Sequence, residues 1–158
     1  MERFARFMRR ILLLVCCGLL AAGCSTVEIP NYIQDKSPYK QTFYAGFDQV
    51  VEATSKTLTK YGWTVANQYD PTVFEQNKEL KQADAKQIML STDVRQTALF
   101  VGTRYARINA YIRTVDSSST EVEIRYLTET SMPVKTFKNY KNDRSVKNIF
   151  NDIGLMLK

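Results

Sequence analysis

The chain has 158 residues, is 44% hydrophobic, and carries 22 basic against 16 acidic residues with no histidine. That length suits one small globular domain behind a processed leader. The missing histidine takes away the commonest general base and the commonest metal ligand, and it excludes a Ser-His-Asp triad within this chain.

Much of the positive charge sits at the start. Arg3, Arg6, Arg9 and Arg10 face a single acid, Glu2, within residues 1–23. The other 135 residues hold 18 basic and 15 acidic side chains, an excess too small to argue for nucleic acid. A basic start of this kind stays on the cytoplasmic side of a membrane. Ile11 to Ala22 follows as a twelve-residue apolar run. A spanning helix needs about 20 such residues, so the run fits the apolar region of an export signal. Ala21-Ala22-Gly23 then supplies the small side chains a signal peptidase needs beside its scissile bond. Cys16, Cys17 and Cys24 all lie in or at the edge of this leader, so cleavage before Cys24 leaves no disulfide in the domain.

Leu20-Ala21-Ala22-Gly23-Cys24 resembles the lipobox of bacterial lipoproteins. The resemblance implies cleavage between Gly23 and Cys24, a diacylglycerol thioether at the Cys24 sulfur, and an acylated amino terminus (palmitate-type chains). The commonest pattern has leucine three residues before the cysteine, where this chain has Ala21. The same small residues also suit an ordinary secretory peptidase, and Cys24 beside an uncleaved anchor is a third reading. More than one acyl chain makes membrane anchoring stable. Ser25 after the cysteine, in place of aspartate, implies the outer membrane in the enterobacterial pattern of the family.

The expected organisation is a signal peptide at 1–23, a lipidated N-terminus and tether at 24–38, and one domain at 39–158. STVEIPNYIQDKSP, residues 25–38, has two prolines and no sustained period. Extended, these residues span at most about 50 Å, enough for the domain to stand off the bilayer. YKQTFYA from Tyr39 suits a first strand. Phe47, Val50, Val51, Thr54, Leu58 and Tyr61 then form one helical stripe, with Gly62 as the stop. Trp63 to Ala66 predicts a strand ending before Asp70-Pro71, and residues 72–86 a weak helix.

The second half has strand periodicity. Ile88, Leu90, Thr92 and Val94 alternate with other residues, as do Ala106, Ile108, Ala110 and Ile112, and then Val122, Ile124 and Tyr126. A hairpin through Asp116-Ser117-Ser118-Ser119 puts the last two apolar sets on one side and Arg113 near Glu121 or Glu123 on the other. Leu99, Phe100 and Val101 are expected to close one end of the core, the alternative being an exposed docking patch. Asp143 is the expected N-cap of a last helix with its stripe at Val146, Ile149, Phe150, Ile153 and Leu157. Together these elements predict an α+β two-layer sandwich: a mostly antiparallel sheet of four to five strands with two amphipathic helices on one face. That order, with the lipobox, resembles small outer-membrane lipoproteins that carry a BamC-like or helix-grip domain. The resemblance covers roughly Tyr39 to Lys158, is architectural, and implies a non-enzymatic envelope component.

KTFKNYKNDR spaces Lys135, Lys138, Lys141 and Arg144 three apart with Phe137 and Tyr140 between them. This pattern suits contact with lipid headgroups or an acidic partner, and equally a solvated connector. Asp84, Asp93, Glu121, Glu123 and Glu129 form no recognisable paired-acid arrangement. No Asp-rich loop resembles a calcium site, and no cofactor or metal is expected. The expected function is therefore an outer-membrane lipoprotein, anchored at Cys24, whose non-catalytic periplasmic domain binds another envelope protein. The alternatives are a module holding a lipid or other amphiphile between helices and sheet, or an enzyme acting on cell-wall polymer. Nucleic acid is not an expected partner.

Overall fold

A computed structural model describes residues 27–74, 86–132 and 135–158. The lipobox, most of the expected helix at 72–86, and Asp84 lie outside the described residues. Among those described, the strands are β1 (Tyr39–Phe43), β2 (Val65–Tyr69), β3 (Gln87–Thr92), β4 (Arg95–Ala98), β5 (Thr103–Thr114), β6 (Thr120–Ser131) and β7 (Thr136–Asn139). The helices are α1 (Phe47–Lys60) and α2 (Asp143–Met156), and a short 3₁₀ turn covers Pro71–Val73.

The class is α+β, as expected, but seven strands form the antiparallel sheet rather than four to five. The two extra strands have a common origin. β5 and β6 are twelve residues each and pair along their whole length. Each then accepts two short partners along its other edge: β3 and β4 on β5, β1 and β7 on β6. The β3–β4 edge is broken at Asp93-Val94. There the amide of Asp93 donates to the Thr64 carbonyl at 2.8 Å, and the Thr92 hydroxyl accepts the Ile108 amide at 3.0 Å. Both bonds leave the regular ladder, and the strand restarts in a new register at Arg95.

The hairpin through the serine turn has the expected register. Ile112 pairs with Val122, Ala110 with Ile124, and Arg113 with Glu121. This apolar face is covered by both helices. Val50, Ala53 and Leu58 of α1 and Val146, Ile149, Phe150 and Ile153 of α2 join Leu90, Ile108, Ile112, Val122 and Ile124 in one core. α1 stops at Gly62, whose φ of 74° lets the Trp63 amide return to the Leu58 carbonyl at 2.9 Å. The two helices are joined by Asp152, which accepts from Lys60 Nζ at 2.7 Å and from the Tyr61 hydroxyl at 3.0 Å.

Three local expectations are corrected. The N-cap of α2 is Asn142, whose side chain accepts from the Ser145 amide at 3.3 Å. Asp143 lies just inside the helix, and its carboxylate accepts from the Tyr39 hydroxyl at 2.5 Å. Phe100 and Val101 do not close the core: they form the tip of the β4–β5 turn, with Phe100 fully exposed and Val101 46% exposed. Finally, residues 27–38 lack regular secondary structure but do not stand free. Ile29 and Ile33 are buried with Leu127 on the sheet face opposite the helices, flanked by Val27, Val94, Tyr105 and Tyr140. The expected tether is, over its described part, a strap across the polar face.

Candidate functional site

The alternation of β5 and β6 sends Arg107, Asn109, Tyr111, Glu123 and Arg125 to the face away from the helices. A polar face of this kind faces water in most two-layer folds. Here the strap covers its middle, so its polar groups need partners. Asn109 is fully buried: its carbonyl accepts from the Ile33 amide at 2.8 Å, and its amide donates to the Asn31 carbonyl at 3.0 Å and to Ser91 Oγ at 3.1 Å. Arg107 donates to the Ile29 carbonyl at 3.2 Å and to Asn31 Oδ1 at 2.6 Å. Burial pushes its pKa down from the ordinary arginine value, yet the group stays protonated in any working buffer. Arg125 donates to the Ile33 carbonyl at 3.2 Å and lies over the ring of Tyr111, its carbon 4.1 Å from the centroid. Burial works against its charge too, and the interactions with Tyr32, Tyr111 and Glu123 outweigh that cost.

Beside the strap this face opens into a cleft of about 690 Å³, lined by Tyr32, Asp35, Lys40, Phe74, Arg113 and Arg125 among others. Both of its arginines and Lys40 meet carboxylates, two of them on the same Glu123. Arg125 Nε meets Glu123 Oε1 at 2.6 Å, Lys40 Nζ meets Glu123 Oε2 at 3.1 Å, and Arg113 Nε donates to Glu121 Oε1 at 2.8 Å. The space between helices and sheet, where the alternative reading would hold an amphiphile, is filled by fully buried side chains including Val50, Leu58, Ile108 and Ile112.

The basic stretch at 135–144 is not one patch. Lys135 and Phe137 are exposed, with the ammonium 5.2 Å from the ring centroid. Lys138 lies 3.3 Å from the buried carboxylate of Glu129. Tyr140 packs on the Ile29–Ile33–Leu127 cluster. Lys141 donates to the Ser37 carbonyl, sits 4.0 Å from Asp35 and stacks on Tyr39 at 4.7 Å. Arg144 is exposed in the first turn of α2. Three of the six expected contact residues therefore hold the strap and β7 in place. Gly23 and Cys24 lie outside the described residues.

Of the carboxylates considered for catalysis, Glu121, Glu123 and Glu129 are engaged with Arg113, Arg125 and Lys138, and Asp93 is exposed. Among the described residues no group of three or more His, Cys, Asp or Glu side chains can hold a metal ion, and no helix is long and apolar enough to cross a membrane. Sequence reasoning missed Arg107, Asn109 and Arg125 as the strap's holders. The signal available was a pair of isoleucines, Ile29 and Ile33, in a stretch otherwise composed like a linker. No protein-family model matches this chain, and a search of curated proteins finds no relative.

Proposed function

We propose that the chain is a bacterial envelope lipoprotein, anchored in the outer membrane by acyl chains at Cys24, whose α+β domain serves as a non-catalytic, protein-binding accessory on the periplasmic side. The observation that carries this reading is Leu20-Ala21-Ala22-Gly23-Cys24 behind a short apolar run and four arginines. Three features of the domain agree with it. Its strap is hydrogen-bonded along the polar face, its helix–sheet layer is filled, and Glu121, Glu123 and Glu129 are each tied to a cation.

Intact mass and membrane fractionation of the wild type and Cys24→Ala test the anchor. The wild type should lack residues 1–23, carry diacylglycerol plus acyl mass, and sediment with the outer membrane. Cys24→Ala should lose the acyl mass and leave that fraction. An aqueous wild-type product without fatty acyl mass refutes the proposal. Crosslinking in intact cells followed by recovery of the protein tests the accessory role, and recovery of monomer alone counts against it.

A further inference from the structure

The strap has a direction. Ile33 is held at Asn109 and Arg125, while Ile29, four residues earlier, is held at Arg107. Running back toward the N-terminus, the strap thus moves along β5 toward its start, and Val27 joins the cluster that includes Tyr105. The next feature of the fold in that direction is the end of the sheet carrying two turns. The β4–β5 turn is closed by the Leu99 amide on the Gly102 carbonyl at 3.1 Å, and the β6–β7 turn by the Met132 amide on the Lys135 carbonyl at 3.0 Å. The two turns touch: Gly102 lies so close to the second that a Cβ there would sit 2.0 Å from the Ser131 carbonyl oxygen.

This end presents Phe100, fully exposed, with Val101, Met132 and Phe137 each 39–50% exposed. Hairpin turns normally carry Gly, Asn or Asp at their tips, so a Phe-Val tip in full solvent is a costly choice for a water-facing turn. Arg104 and Lys135 are exposed beside it, and Glu129, the acid on the adjoining strand, is buried against Lys138. Tyr44 and Val115 are also exposed, but they lie at the opposite end of the sheet, next to the Phe43–Thr120 and Thr114–Thr120 pairs. Cys24 precedes Val27 by three residues, a reach of at most about 11 Å. The distance along β5 from Tyr105 to the turn is about 10 Å at ~3.4 Å per residue.

We infer that the end of the sheet at the β4–β5 turn rests in the headgroup layer of the bilayer, with Phe100 and Val101 as its apolar tip and Arg104 and Lys135 on lipid phosphates. This inference rests on acylation at Cys24. The occupant is a lipid surface because this end lies within reach of the acylated residue, given where the strap ends at Val27. The residue types are those of an interfacial contact: an aromatic and an aliphatic at the tip, with long cations at the rim.

The test uses the mature acylated protein in vesicles of phosphatidylethanolamine and phosphatidylglycerol containing nitroxide-labelled lipid. An environment-sensitive fluorophore is attached through Phe100→Cys, or through Val101→Cys, and in a reference protein through Glu52→Cys, on an outer position of α1 that is 67% exposed. In the processed chain Cys16 and Cys17 are gone and the Cys24 sulfur is a thioether, so the introduced thiol alone is labelled. The probe at 100 or 101 should shift to the blue on reconstitution and be quenched at least ~2-fold more than the probe at 52. A blue shift without quenching by the lipid nitroxide means a second copy or another protein covers the tip, and overturns the inference. Equal quenching at all positions in acylated, vesicle-bound protein also overturns it and leaves the lipoprotein reading intact. A mass without acyl chains overturns both.

Discussion

Ile33→Ala distinguishes a docked strap from a solvated tether. Ile33 is fully buried, its amide bonds Asn109, and its carbonyl accepts from Arg125. The substitution removes three buried carbons, about 2.4 kcal/mol at ~0.8 kcal/mol per methylene. The residual cavity adds to this in a rigid core, where Ile→Ala costs about 2–5 kcal/mol. The strap lacks regular secondary structure and can settle toward Leu127, so the lower end, about 2–3 kcal/mol, is expected. The loss is bounded by the docking free energy of the strap, because a strap that detaches before the sheet melts can cost the fold no more than its own attachment. In urea, with m of about 1.5 kcal/mol/M, the unfolding midpoint followed by far-UV circular dichroism should fall by roughly 1–2 M. Asn109→Ala, which leaves the Ile33 amide without its acceptor, should act in the same direction. The two together should lose less than the sum of the singles, since each undoes the same docking. An Ile33→Ala midpoint within about 0.3 M of the wild type, the result for a surface substitution, would refute the packed strap.

Gly102→Ala should destabilise by at least about 2 kcal/mol, because its φ of 94° and the Ser131 carbonyl 2.0 Å away both oppose a side chain; melting should fall by about 4 °C or more. Gly154→Ala should do the reverse, gaining about 0.5–1 kcal/mol, since it sits inside α2 and its Cβ would meet only the Phe43 ring at 3.7 Å. Tyr39, pushed up to about 12 by burial and by the hydrogen bond to Asp143, contributes stability that is present below pH 10 and lost as pH rises toward 12; Tyr39→Phe should remove that alkaline decline in a pH series of midpoints. Asp152 is held below its ordinary 3.8 by the Lys60 and Tyr61 hydrogen bonds, so its contribution is present above pH 4 and lost as pH falls through the lowered value; Asp152→Asn should match the wild type in strong acid and fall behind it above pH 4.

Periodicity made the helices and the central hairpin readable in advance. The stripes of α1 and α2 and the alternation of β5 and β6 each report one face buried against one partner, which is the condition that imprints a period. β4 and β7 have four residues each, exposed throughout, and no alternation marked them. Apolar alternation continues past Thr92 to Val94, while the end of β3 depends on a hydroxyl taking a ladder bond, which no hydropathy pattern records. The Asn142 cap was hidden by its neighbour: either Asn or Asp can cap, and the choice is made by Tyr39, more than a hundred residues away in sequence. Composition alone favours burial for Leu99-Phe100-Val101, since that is the usual fate of such residues, and it carries no information about a turn tip.

The strap was illegible for a different reason. Its two isoleucines lie on a face that reads as wet, above Arg107, Asn109 and Arg125, and each of those polar side chains bonds the strap's own backbone. A segment that lends carbonyls to a sheet face needs neither a period nor a propensity. On the proposed acylation at Cys24, it changes the mechanics of anchoring. Fourteen free residues would let the domain roam up to about 50 Å from the bilayer in any orientation, whereas three leave it within about 11 Å. On so short a leash, rotation as well as distance is restricted, because the strap is fixed along one strand direction. A partner would then be met by the surfaces turned sideways or away from the lipid: the outer faces of α1 and α2 and the opposite end of the sheet at Tyr44 and Val115. Surface substitutions there should weaken a crosslinked complex while leaving acylation and fractionation unchanged, and substitutions at Phe100 or Val101 should leave the complex intact.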